Sequence, residues 1–383
     1  SSMQAHGLAF LFGTENVFLG GGESWNVTRQ AIAPYLSGQV IQTEDFFRKL
    51  ESVAAPHLDA LAARVRAGEN ELDILPVLQE TTLDIAFQTL LGTSLTRAEL
   101  GEVRRSFDTV MDWLRLETAN PTPLSWSQMG ACGLKDAYRH LSDLADRILS
   151  ERRAQADPPD DLLAGLMRAV DGQGRPLTDE RLRHEILTIL LAGHETTATL
   201  MSWMLCLLSR DPESLAAVQA DVDAQGGQRP TPEQLRGMSA LQHTVLEVLR
   251  LHPPANFLAR EAAEDTVLEG VECPMGTTLL VSLHQVHRSE DLWGVPVTGY
   301  PADEFHPERM KEARARSFPF GGGRRMCTGA ALGRAEAALI PTLLLQRFEL
   351  LPSQRELRMT SDFGVHPEQA WVVLREAPPA GSP

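Results

Sequence analysis

The chain has 383 residues, 43% of them hydrophobic, and a formal net charge of −16. Length and apolar content provide for one large domain or two ordinary ones with a sizeable core, and the charge argues against a general nucleic-acid binder or adhesion to anionic membranes. Four scattered cysteines, Cys132, Cys206, Cys273 and Cys327, form no Cys-x-x-Cys pair, which fits a reducing compartment and excludes the usual zinc spacings. In chain order, no basic n-region with an apolar signal core opens the sequence. Helical periodicity then predicts segments at Thr43–Ala67, Glu71–Leu91, Arg97–Glu117, Leu134–Gln155, Asp160–Val170, Thr178–Leu208, Asp211–Gln225 and Ser239–Leu251. Gly68, Gly92, Asn120-Pro121, Asp157-Pro158-Pro159 and Asp211-Pro212 punctuate them. The run Ile186–Leu208 is long enough to span a bilayer. His194 and Glu195 fall at its mid-depth, however, where ionisable groups are expensive, so a helix buried in a soluble protein is expected and no transmembrane segment. After Pro253 the period changes: Asn256–Ala263, Thr266–Val271 and Thr277–Val286 are expected as strands, as is the tail from Phe348 to Leu374, with a helix from Ala330 to Gln346 between them. With no internal repeat and no low-complexity linker, this describes a mainly α chain with a small β-rich lobe, a single domain over residues 1–383.

The most informative stretch is Ser317-Phe-Pro-Phe-Gly-Gly-Gly-Arg-Arg-Met-Cys-Thr-Gly-Ala-Ala-Leu-Gly-Arg334. Cys327 stands just ahead of a predicted helix, whose dipole and unpaired N–H groups lower a thiol pKa and favour the anion. Glycines let the loop approach a flat cofactor closely. Arg325 is placed to pair with an acidic group on that cofactor, and Phe320 to shield the sulfur. A buried structural cysteine after a glycine turn is the plain alternative, but the fixed order Phe320, Gly323, Arg325, Cys327, Gly329 weighs against it. A second run, Ala192-Gly193-His194-Glu195-Thr196-Thr197-Ala198, interrupts the longest apolar helix. Gly193 weakens that helix, Thr196 is able to bond a carbonyl one turn back, and an acid beside an alcohol forms a minimal proton relay. A polar kink at a helix crossing is the alternative. Third, Glu247 and Arg250 lie one turn apart on one helix face, a pairing that alone says little.

Together these runs resemble the cytochrome P-450 superfamily. Phe320, Gly323, Arg325, Cys327 and Gly329 meet every fixed position of its haem-ligand signature, Phe-x-x-Gly-x-Arg-x-Cys-x-Gly. Gly193, Glu195 and Thr196 match its oxygen-activation motif, and Glu247 and Arg250 its Glu-x-x-Arg helix. Phe305-His306-Pro307-Glu308-Arg309 resembles the accompanying meander, with Met310 where the family often has an aromatic. The resemblance implies the family's triangular helical prism, with a long central helix over a b-type haem. It implies Cys327 as the axial thiolate and only metal ligand, which favours O–O cleavage, with Phe320, Gly321 and Gly329 lining the loop. It makes Trp25, Arg29, Arg260 and Arg325 the propionate contacts, Gly193, Glu195 and Thr196 the oxygen-activating group, and Glu247, Arg250 and Arg309 a structural network. Leu191, Ala192, Asn256, Phe257, Leu258 and the turn Phe363-Gly364-Val365 would line a mostly apolar substrate pocket, with Asn256 holding one polar group.

The implied activity is insertion of one oxygen atom from O₂ into a hydrophobic small molecule such as a lipid, terpenoid or other secondary metabolite. Alternatives are a peroxide-using member or a non-catalytic haem-binding module. NAD(P)H would act indirectly, through a ferredoxin or flavodoxin drawn to a basic cluster of Arg309, Lys311, Arg314, Arg316, Arg324 and Arg325. A bacterial, soluble, cytoplasmic member is expected. Only Ser1 to Ser24 precede Trp25, where members carry some tens of residues, so the usual N-terminal strands and helices are expected to be lacking.

Overall fold

The computed structural model describes residues 8, 9, 11–119, 133–313, 317–361 and 364–377. Its main helices are α1 (Gly22–Ile32), α2 (Glu44–Arg66), α3 (Leu75–Ile85), α4 (Arg97–Ala119), α5 (Leu134–Ala154), α6 (Leu162–Arg168), α7 (Asp179–Arg210), α8 (Pro212–Asp223), α9 (Ser239–Leu251) and α10 (Ala330–Leu345). The centre is α7, 32 residues long and so about 48 Å from end to end. Thr178 caps it by accepting from the Arg181 N–H, with Asp179 and Glu180 in the first turn. It is buried on nearly every side from Ile186 to Leu191 and again from Thr197 to Cys206, because α3, α5, α9 and α10 pack around it. The hydrophobic core runs continuously along this axis. Among the described residues no helix is long and apolar enough to cross a membrane.

Glu185 docks α1 onto α7. Its Oε1 accepts from the Thr28 hydroxyl at 2.6 Å and its Oε2 from the Val17 N–H at 2.9 Å. Burial pushes this carboxyl up to about 7, against the pull of those two donors and of Arg181.

Four expected elements differ, among them the strand expected over Thr266–Val271, which ends at Leu268 and turns back so that Val271 opens its antiparallel partner. The stretch expected as one helix over Glu71–Leu91 splits in three: β1 (Glu71–Asp73), then α3, then a π turn at Ala86–Leu90. The first three residues become a strand because β9 (Trp371–Glu376) pairs with them, Leu72 opposite Val372, and a tertiary partner outweighs local propensity. β9 also pairs with β6 (Phe348–Pro352), giving the order β1-β9-β6. The strand expected over Thr277–Val286 ends at Ser282, whose hydroxyl caps a helical turn at Leu283–Val286. In the β lobe, β2 (Phe257–Glu261) pairs with β5 (Thr278–Ser282) and β3 (Thr266–Leu268) with β4 (Val271–Cys273), all antiparallel. A last pair, β7 (Met359–Ser361) and β8 (Val365–Pro367), closes against α7. Finally, α7 is not interrupted at Gly193. A single glycine costs only about 1 kcal/mol, and packing on several sides outweighs that.

A buried charge network braces the segment that leads to Cys327. Arg250 binds Glu247 through both guanidinium arms at 2.8 and 2.7 Å, and donates to the carbonyls of His287 and Ala302 at 2.7 and 2.6 Å. Arg309 brings its Nε to 2.9 Å from Glu247 Oε1 and donates to the carbonyls of Trp293, Pro301 and Glu304. All three side chains are fully enclosed. Two cations and one anion leave a net positive charge, which the carbonyls offset. Removing the anion leaves two buried guanidiniums without a counter-charge. Glu247→Gln should therefore lower unfolding stability by about 3–5 kcal/mol, read from the urea midpoint at constant slope; a shift too small to resolve would refute the network's weight.

Candidate active site

The run before α10 folds into a tight loop. Gly321 and Gly323 have φ of +72° and +67°, backbone states that suit glycine. The Gly321 N–H bonds the Phe318 carbonyl and the Cys327 N–H bonds the Phe320 carbonyl, both at 2.9 Å. This delivers Cys327 to the N-terminal end of α10 with its surface exposed. Burial of the sulfur within the loop pushes its thiol up. Bonds from the Gly329 and Ala330 N–H groups and the charges of Arg29 and Arg334 pull the other way without winning. The donors inferred from the sequence are present, but the expected net lowering of the free thiol is not, because desolvation outweighs them. A sulfur so placed becomes an anion readily when a metal cation binds it. Phe320 offers its ring to the Arg334 guanidinium at 4.8 Å, and its carbonyl fixes the cysteine backbone. At Gly329 a Cβ would sit 4.0 Å from the Cys327 Sγ.

Cations converge beside this loop. Trp25 is buried under Arg325, 4.5 Å from the ring centre, and Arg324, at 5.9 Å. Arg325 donates to the Gly20 carbonyl, and Arg29 to the Met326 carbonyl and the Thr328 hydroxyl. Arg260, on β2, donates to the Ala259 carbonyl. Desolvation and then repulsion from Arg260 hold Arg325 below the ordinary guanidinium range. Two arginines that repel each other, partnered by carbonyls and an indole, leave their charge for an anionic ligand. Leu258, also on β2, lies 3.7 Å from where a Cβ on Gly321 would be, so β2 and the loop share a wall.

On α7, Ala192 and Thr196 are exposed although the turns on either side are buried. They lie one turn apart, and the Thr196 hydroxyl donates to the Ala192 carbonyl at 2.8 Å. Thr197, next in sequence, is buried against α10: a Cβ on Gly333 would meet its Oγ1 at 3.4 Å. The exposed turn of α7 is thereby tied to the helix that begins at Cys327. Gly193 faces α3's extension, with Ala86 at 3.8 Å from its virtual Cβ. Glu195 does not share the Thr196 face; it is bonded by Gln79 of α3 at 2.9 Å. Of the expected pocket residues, Ala192 and Phe257 are exposed and Leu258 is half-buried, whereas Leu191, Asn256 and Val365 are buried. Val365 is fixed by the Trp203 indole N–H, which donates to its carbonyl at 3.2 Å. Phe363 lies outside the described residues.

The expected basic cluster shrinks. Arg309 is buried in the Glu247 network, Lys311 is paired with Glu308, and Arg325 covers Trp25. Arg314 and Arg316 lie outside the described residues. Arg324 remains on the surface, bonded to the Asn26 amide.

A cysteine loop at the start of α10, arginines beside it and an exposed polar turn of α7 make up this region, and the family model for cytochrome P450 matches residues 4–373. The chain belongs to the cytochrome P450 family. Its mainly helical body and small strand-rich lobe are those of the P450 fold. It is similar to cyclooctatin synthase of Streptomyces melanosporofaciens, 31% identical over 73% of this chain and 62% of that protein. Pentalenene oxygenase of Streptomyces avermitilis is 30% identical over 76% of the chain and 66% of that protein. Cyclooctat-9-en-7-ol 5-monooxygenase of S. melanosporofaciens is 29% identical over 86% and 73%. The chain thus spans about two thirds of the length of these curated P450 relatives.

Sequence reasoning missed Gln79, Arg334 and Glu336. For the last two a signal existed: they are the charged residues in the otherwise apolar helix Ala330–Leu345. Glu336 is buried, and burial pushes its carboxyl up to about 8 while a bond to Thr197 pulls it down. Its Oε2 has no partner among the described residues. The fold of this P450 therefore holds a proton that the unfolded chain releases near 4.5. Its contribution to stability is fully present below about 4.5 and is lost as pH rises toward about 8. Glu336→Gln removes that loss while leaving Glu185 in place. The stability of the variant relative to the parent, read from melting curves, should climb between pH 4.5 and 8 and level off above, by on the order of a few kcal/mol. Parallel melting curves across that range would refute it.

Proposed function

We propose that this chain is a haem-thiolate monooxygenase that inserts one oxygen atom from O₂ into a hydrophobic small molecule, with a terpenoid the favoured class. The observation that carries the proposal is the pairing of Cys327, an exposed residue whose sulfur lies among N–H donors and cations, with the exposed Ala192–Thr196 turn of a helix otherwise buried at this level. The donor set fits a b-type haem. A soft thiolate suits iron, Arg260 and Arg325 are cations with charge to spare for two propionates, and Trp25 and Arg29 hold the loop that presents the sulfur. Bound there, the haem would supply activation of dioxygen and the redox chemistry.

The chain's own residues do the rest. Gly329 and Ala330 N–H groups, with Arg29 and Arg334, stabilise negative charge on Cys327 Sγ. Thr196 Oγ1, fixed by the Ala192 carbonyl, presents a hydroxyl toward the open side of α7. Glu195, the residue before it, is the acid of the pair and would exchange protons with this hydroxyl. Ala192, Phe257 and Leu258 give the open side an apolar lining that favours a hydrophobic substrate. The names of the relatives, which describe a pentalenene oxygenase and a cyclooctat-9-en-7-ol 5-monooxygenase, favour the terpenoid class. Electrons would arrive from NAD(P)H through a separate ferredoxin- or flavodoxin-type carrier docking beside Arg324 near Cys327.

Two measurements test this. The reduced, carbon monoxide-bound protein should show the strongly red-shifted Soret band of thiolate ligation, absent in Cys327→Ser; haem bound with an unshifted band would defeat the assignment. Thr196→Ala should keep haem binding and NAD(P)H consumption, lose about tenfold or more of product formation, and release the balance as hydrogen peroxide. Fully coupled turnover in that variant rules out the relay.

A further inference from the structure

The open side of α7 ends at a tryptophan. Trp203 follows Thr196 by seven residues, which is two turns along the helix, about 10 Å, and nearly the same face. At Thr196 that face is exposed; at Trp203 it is covered, and the indole is 2% exposed. Two partners fix the ring. His252 stacks on it at 3.8 Å with 11° between the planes. Burial, and then the charges of Arg288, His284 and Arg250, hold His252 down to about 3, so both stacked rings are neutral. The indole N–H donates to the Val365 carbonyl at 3.2 Å, which sets β8 against α7.

β8 in turn holds a second segment. His252 closes α9, its N–H bonding the Val248 carbonyl at 2.7 Å, and the chain then runs through Pro253 and Pro254 into β2. The Val365 N–H donates to the Pro254 carbonyl at 3.3 Å. Beside it, a Cβ on Gly364 would collide with that same carbonyl oxygen. The Gly364 backbone is not in the left-handed region, so glycine serves close approach there and nothing else. At its far end the segment abuts the cysteine loop, Leu258 against Gly321. One chain of contacts thus runs from α7 through Trp203, Val365 and Pro254 to Leu258 and the loop that carries Cys327. Phe257 stands on this wall, exposed.

Resting on the monooxygenase reading above, we propose that Trp203 is a specificity-determining positioning residue. By anchoring β8 it fixes how far the wall of residues 254–258 stands from the Thr196 turn, and so how large a molecule the open side admits. Apolar side chains such as Ala192 and Phe257 attract any hydrophobic molecule; selection by size needs a wall whose backing does not give. Buried behind β8, the indole reaches no substrate and acts through Val365 and Pro254.

The test compares imidazole with phenylimidazole, which bind haem iron through nitrogen on the side away from the sulfur and differ by one phenyl ring. The ratio of their dissociation constants reads the room on the open side, and imidazole alone corrects for any change at the iron. Gly364→Ala drives a methyl group between β8 and the wall. Val365 and Pro367 are buried and β8 rests on α7, whereas Ala255 and Phe257 are exposed, so the wall yields, toward the open side. Phenylimidazole should weaken about tenfold relative to imidazole. Trp203→Phe keeps an aromatic ring for His252 but loses the N–H, so β8 slackens and the ratio should move the other way. A ratio unmoved in either variant, or moved the same way in both, overturns the proposal. A second readout needs no haem. Carbonyl-labelled glycine with nitrogen-15 valine singles out valines that follow glycine, which are Val271, Val295 and Val365. In Trp203→Phe the Val365 N–H should exchange with deuterium about tenfold faster, with Val271 and Val295 as unchanged controls. Unaltered Val365 exchange also overturns the proposal. If no form of the protein binds haem, the monooxygenase reading has failed, and Val365 exchange still decides whether Trp203 holds the wall. Should Trp203→Phe not fold, the ratio in Gly364→Ala decides alone.

Discussion

The site depends on one helix contact. α10 starts three residues after Cys327 and packs directly on α7 through Thr197, Gly333 and Glu336. Gly333 admits the Thr197 hydroxyl to a distance that leaves little room for a Cβ. That approach fixes where a sulfur at the start of one helix stands relative to an alcohol in the middle of the other. The covering of α7 on its remaining sides by α3, α5 and α9 leaves the Ala192–Thr196 turn open. An opening in an otherwise buried helix is costly unless something fills it, and a flat hydrophobic cofactor with an apolar substrate fills it with matching chemistry.

Charge is distributed by the same economy. Where structure is needed, cations are consumed: Arg250 and Arg309 pair with Glu247 and donate to backbone carbonyls. Where binding is needed, they are left in reserve. Arg325 and Arg260 repel one another, a strain that a dianionic ligand between them would relieve. Burial raises the carboxyls of Glu185 and Glu336 to about 7 and about 8. Each joins α7 to an element that holds part of the site, α1 in one case and α10 in the other.

Local pattern carried much of the fold. Helices with an N-cap residue and a clear apolar period, such as Glu44–Arg66 behind Thr43 and Asp179–Arg210 behind Thr178, lie within two residues of where the sequence places them. The strand at Glu71–Asp73 was not legible, because its partner is some 300 residues away at Trp371–Val373 and the residues around it carry a helical period. The loop glycines and Cys327 were legible because the chemistry of a single thiolate needs a fixed order of residue types. Gln79 was not, since a buried amide in an amphipathic helix has no local mark until a partner from another helix is known.

By itself the sequence determined the chemistry on offer: one cysteine ahead of a helix, an acid and an alcohol in an apolar run, and a Glu-x-x-Arg pair. These are fixed by covalent order, and their spacing along a helix or loop follows from local geometry. Tertiary structure alone decided what each group faces. It placed Glu195 with Gln79 and away from Thr196, took Arg309 off the surface, and made desolvation outweigh the donors at Cys327. Orientation, burial and electrostatic balance are sums over neighbours from distant parts of the chain, and no local window contains them.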